Sequence, residues 1–114
     1  MIETYMASYL EEQTGISCVV GARAQRNGIN IMNTGTIANN YYLVELKNLQ
    51  ISIRNEDLDI CNEWVESVLA ALRGIYGKFG ASDAVIFIES IGSLIYEDDG
   101  TLCHIPIFIN AKIV

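Results

Sequence analysis

His104 is the only histidine in the chain, so any nucleophile relay built on an imidazole would have to pass through it. Alternation in the closing segment puts it on the outward side of a strand. No GxSxG turn offers a serine, and Gly92-Ser93 lacks the flanking glycine. His104 therefore reads as an ordinary surface or interface residue. The three cysteines, Cys18, Cys61 and Cys103, raise the question of zinc, which takes thiolate and imidazole ligands at short spacings. They lie far apart, and Cys18 and Cys61 occupy apolar-periodic positions, which reads as buried thiols in a reducing compartment. Asp59, Glu63 and Glu66 stand four and three residues apart and share a helix face. They could hold a cation, but a solvated face opposite Trp64 and Leu72 explains them without one. Glu97-Asp98-Asp99 begins like a calcium loop and lacks the alternation and closing glutamate that calcium needs. Gly74-Ile75-Tyr76-Gly77 and Gly77-Lys78-Phe79-Gly80 match the GXXG clamp of some RNA-binding domains, but a strand rather than a helix should follow, in an acidic chain. No phosphate-binding glycine loop is present. The sequence assigns no catalytic residue, no cofactor-binding residue and no metal ligand.

Ile2, Tyr5, Met6, Tyr9 and Leu10 recur at helical steps up to the stop at Thr14-Gly15. Ile16 to Val20 reads as a short buried strand. Residues 21–40 carry Gly21, Gly28 and Gly35 among five asparagines and read as a long, functional loop with a brief strand at Ile29, Ile31 and Met32. Those apolar residues, with Tyr41 and Tyr42, are either core under the loop or anchors for a docking neighbour. Tyr41 to Leu46 and Gln50 to Arg54 alternate as strands. They form either a tight hairpin turning at Lys47-Asn48 or one continuous bent strand. Asn55 is the expected N-cap of a strong helix, whose face is Leu58, Cys61, Trp64, Val65, Val68, Leu69 and Leu72 and whose first turn is acidic. A glycine-rich connection over 74–82 leads to a strand at Val85, Phe87 and Ile88, a bend at Gly92 and a turn at Asp99-Gly100. Residues 102–114 close the chain as a long strand, at an edge or bulged at Pro106. The fold class expected is α+β: a single domain over 1–114, one mainly antiparallel sheet with two amphipathic helices on one face.

The chain has 114 residues, 51% of them apolar, 18% charged and one proline. It is long enough to bury a core without disulfides or metal. Its net charge of −7 is the wrong sign for a stand-alone nucleic-acid binder. No apolar run approaches a membrane span, and the first residues do not read as a secretory signal.

Gln50-Ile-Ser-Ile-Arg54-Asn-Glu-Asp57 runs directly into the acidic helix that ends Ala70-Ala-Leu72-Arg-Gly74. Val85-Ile-Phe-Ile-Glu-Ser-Ile91 leads through a short acidic turn to Phe108-Ile-Asn110-Ala-Lys112-Ile-Val114, and the N-terminal helix ends Gln13-Thr14-Gly15. In these stretches and their order the chain resembles the tail terminator, or tail completion, proteins of long-tailed bacteriophages. It departs from them in the loop 21–40 and in the short link between the middle strands. The resemblance implies a structural virion protein, not an enzyme, without cofactor or metal. It implies a hexameric ring of copies that caps the tail tube, stops its polymerisation and joins tail to head. The implied partners are other copies, the tail tube protein and the head connector, with DNA only as passing cargo and no membrane. The implied location is the head-proximal end of the tail, after assembly in the host bacterial cytoplasm. Arg23, Arg26, Ile29, Ile31, Met32, Tyr41 and Phe108 are the expected subunit or tube contacts. The two arginines would pair with an acidic face such as a neighbour's Asp59, Glu63 and Glu66. The rival readings are a small-ligand-binding or regulatory domain, a small hydrolase or transferase, and a nucleic-acid module using the GXXG turns.

Overall fold

A computed structural model describes residues 2–21, 24–39, 44–73, 75–79 and 82–113. Helix α1 (Ile2–Thr14) buries Ile2, Met6, Ala7 and Leu10. Gly15 then takes φ 74° and its N–H closes on Glu11 O, a conformation that suits glycine. Tyr5, expected on the buried face, is exposed, because the sheet meets the helix one residue round, at Ala7.

Strand β1 (Cys18–Val20) lies parallel to β2 (Gly28–Asn39), which pairs antiparallel along its length with β3 (Val44–Asn55). One expectation is corrected here and one pair of alternatives is decided: most of the segment read as a long loop is strand, and the residues on either side of Lys47-Asn48 form one continuous strand rather than a hairpin. Tertiary pairing overrides the glycine and asparagine content: Ile29 and Ile31 sit opposite Ile53 and Ile51, and all four are fully buried. The irregular residues are absorbed at one bulge between Asn33 and Gly35, where Asn33 Oδ1 accepts the Gly35 N–H. Lys47 and Asn48 face Thr36 and Gly35 on one side and Ala111 and Asn110 on the other.

Helix α2 (Leu58–Leu72) is capped by Asp57, whose carboxylate accepts from the N–H groups of Asp59 and Ile60. The expected cap, Asn55, sits two residues earlier and accepts the Asp57 N–H instead. Leu58, expected inside, lies on the exposed side of the first turn. Part of the glycine-rich connection is itself strand β4 (Tyr76–Phe79), paired with β5 (Ser82–Ile91). Gly74 and Gly80, which complete the two GXXG turns, lie outside the described residues. β6 (Ile95–Glu97) and β7 (Leu102–Ile113) follow.

The sheet order is β1-β2-β3-β7-β5-β4, with β6 also paired to β7. β7 is thus central. It pairs with β3 along one side and with β5 and then β6 along the other. Pro106 falls where β5 gives way to β6. Its carbonyl accepts the Gly92 N–H at 2.7 Å, and a Cβ at Gly92 would stand 2.5 Å from the proline ring. The missing donor of proline therefore sits at the gap between two partners. Both helices pack on one face, over Leu49, Ile51, Ile53, Ile107 and Ile109, each at most 1% exposed. Burying each such side chain is worth about 1.5–3 kcal/mol. Twelve-residue strands set the longest of the 47 × 24 × 21 Å extents.

Candidate interaction site

Alternation along β2, β3 and β7 sends the residues between the core isoleucines to the opposite face. Asn30, Ser52, Arg54 and His104 are there, and all four are buried. Residues 24–27, between β1 and β2, lie over Asn30 and Arg54 as a strap with Gln25 at its centre. The Gln25 N–H donates to Asn30 Oδ1, and Gln25 O accepts from Asn30 Nδ2 and Arg54 Nη1. Its side-chain amide donates to Ser17 O and Ile29 O and accepts from Ser17 Oγ. Gly28 permits this: a Cβ there would fall 2.3 Å from Gln25 Nε2.

Beneath the strap Arg54 and His104 stand opposite one another on β3 and β7, and Glu97 of β6 reaches both. Glu97 Oε2 lies 2.7 Å from Arg54 Nη2, and Oε1 lies 3.0 Å from His104 Nδ1. Burial opposes the charge on Glu97, but the Arg54 guanidinium and then His104 outweigh it and hold its pKa below the ordinary range. Arg54 Nε and His104 Nε2 are buried without a hydrogen-bond partner. His104 is therefore not a surface residue, as its outward position suggested, because the strap and β6 cover that face. With both carboxylate oxygens engaged, the cluster braces three strands.

Arg26 clamps the strap from outside. Its Nε lies 2.8 Å from Glu56 Oε1, and its Nη atoms bond Asp98 and Thr101 Oγ1. The hydrogen bond from Arg26 is the main reason that the Glu56 pKa is lowered. Asp98 and Asp99 take φ 51° and 56° and carry the tight turn before β7. The Arg26 expectation is thus corrected: its acidic partners are within its own chain. Arg23 and Tyr41 lie outside the described residues.

The other expected contacts scatter. Ile29 and Ile31 are core on the helix face, not docking anchors, because β2 turns them inward against β3. Met32 and Phe108 are half-buried on the opposite face, both in register with Gln50. Asp59, Glu63 and Glu66 are exposed on α2. Burial pushes the Cys18 thiol up to about 12 and that of Cys61 up to about 11. Among the described residues no three His, Cys, Asp or Glu side chains converge as a metal site, and no helix is long and apolar enough to cross a membrane.

Two surface features had no sequence signal. Phe87 and Ile91 on β5 and Ile95 and Tyr96 on β6, each 45–57% exposed, follow one another along the side of β7 away from β3. At the other side of the sheet, Glu3, Val20, Gly21, Ile31, Met32 and Asn33 line an open pocket of about 330 Å³. Arg54, Glu97, Gln25 and Glu3 were all missed, since only cross-strand register or a tertiary cover gives them a role.

No protein-family model matches the chain, and no curated protein matches it.

Proposed function

We propose that this chain is a structural subunit of a phage tail, a tail terminator that self-associates into a closed ring at the head-proximal end of the tail tube. In this reading it stops tube growth, meets the head connector on its other side, and performs no catalysis. DNA passes through the ring without being gripped, as net negative charge favours.

The observation that carries the reading is the row Phe87, Ile91, Ile95 and Tyr96, about half exposed along one side of the sheet. By register Phe87 and Ile95 lie on the strap face and Ile91 and Tyr96 on the helix face, so the exposed apolar side chains flank one edge of the sheet on both faces, which suits an edge that another subunit wraps. The order of elements, with two helices on one face of a mainly antiparallel sheet, agrees with the resemblance. A ring needs a heterologous contact, in which one face meets a different face of the next copy. The β5–β6 side supplies one of the two.

Sedimentation over a wide concentration range, alone and with isolated tail tubes, tests the proposal. A discrete closed oligomer, or a cap that co-sediments with tubes, is expected. Phe87→Asp combined with Tyr96→Asp should abolish either one while leaving the monomer folded. A monomer at every concentration that also ignores tubes would overturn the reading.

A further inference from the structure

The pocket at the end of β1 combines two features that one kind of ligand satisfies. Its floor holds Glu3, a residue only 5% exposed, whose Oε1 accepts from Asn33 Nδ2 at 2.7 Å and whose Oε2 is buried with no hydrogen-bond donor. Its remaining lining is Val20, Gly21, Ile31, Met32 and Asn33, so the approach to the carboxylate is largely apolar. Burial works against the charge on Glu3. The hydrogen bond from Asn33, its own backbone N–H and the nearby Lys47 outweigh it, and the pKa lies below the ordinary range. The group is therefore an ionised carboxylate with one oxygen unsatisfied, a costly state unless a donor arrives. Among the described residues Lys47 acts on it through charge without closing an ion pair.

We infer that this pocket receives a lysine or arginine side chain from a basic partner chain. The apolar lining takes the aliphatic stem, and the cationic head reaches Glu3 Oε2 and supplies the missing donor. A metal ion fits poorly, because hard cations want six or more oxygens and a single carboxylate oxygen is free here. At this pocket a basic partner is favoured over a second copy by charge: the chain carries fourteen acidic residues against seven basic ones, so a cationic protein is drawn to it more strongly than another copy is. The inference does not depend on the ring reading.

The test is a methyl and amide NMR titration of the full chain with n-butylammonium and n-butylguanidinium, with 1-butanol as the neutral control. Both cations should give saturable shifts at Val20, Ile31 and Met32, with midpoints on the order of millimolar as suits so small a probe. Butanol should not. Glu3→Gln keeps an acceptor for Asn33 and should weaken cation binding at least about fivefold, the loss expected for one charge-assisted bond. Val20→Lys places a tethered ammonium on the rim, and should raise Tm and block the probe. Equal shifts with butanol, unchanged binding in Glu3→Gln, or no saturable shift in the parent would each overturn the inference. So would the same shifts appearing on concentrating the protein alone, since the occupant would then be a second copy.

Discussion

The two faces of this sheet are made from alternate residues of the same strands, yet they are closed by different physics. Under the helices, Ile51, Ile53, Ile107 and Ile109 are packed by α1 and α2, and the gain is roughly proportional to the area removed from water. Under the strap, Asn30, Arg54 and His104 are just as hidden, but what holds them is a set of directed bonds to Gln25 and Glu97. The apolar face degrades gradually when atoms are removed. The polar face fails abruptly, because deleting one partner strands a buried charge.

The largest expected effect follows from that contrast. Glu97→Ala should cost about 3–5 kcal/mol, since it leaves the Arg54 guanidinium buried and uncompensated. Ile107→Val on the other face should cost only about 0.5–1.5 kcal/mol. The double replacement Arg54→Met with Glu97→Leu should recover most of the first loss. Urea unfolding of the four proteins measures all of this, and a Glu97→Ala cost no larger than that of Ile107→Val would erase the distinction.

A smaller effect concerns acid. The Glu97 pKa is lower in the fold than in the unfolded chain. Its ionised form thus stabilises the protein fully above the unfolded value of about 4.3, and that contribution is lost as pH falls through the folded value. Thermal melts from pH 7 down to pH 3 should show the parent losing more stability than the Arg54→Met, Glu97→Leu protein. Parallel curves would mean that the pair adds nothing. The smallest effect belongs to the exposed clamp. Arg26→Ala should lower stability least of these changes, and less still at high salt, because water already screens its partners. Hydrogen exchange should nevertheless quicken at the Gln25 amide, and an unchanged rate there would remove Arg26 from the strap's anchorage.

Much of the apolar face was legible in the sequence, because periodicity reports burial on one side of an element. Helix α2 announced itself through Cys61, Val65, Val68 and Leu72, with only its cap displaced from Asn55 to Asp57. The strap face was not legible. An arginine and a histidine at alternate strand positions look solvent-facing until a cover is known, and nothing local says that residues 24–27 fold back over this face. Strand β2 was hidden for a related reason: Asn30, Asn33 and Gly35 read as loop, and only pairing with β3 makes them strand. The Glu3 pocket needed the end of β1 and the start of α1 to be set side by side.

The place of β7 has a consequence for how the chain comes off the ribosome. β7 is made after the other described strands and, among the described residues, is the only strand bonded to both β3 and β5. Until it emerges, β1–β3 and β4–β5 are two separate pieces with no strand between them. One late insertion then joins them, so the strand at the centre of the sheet is the last to be set in place.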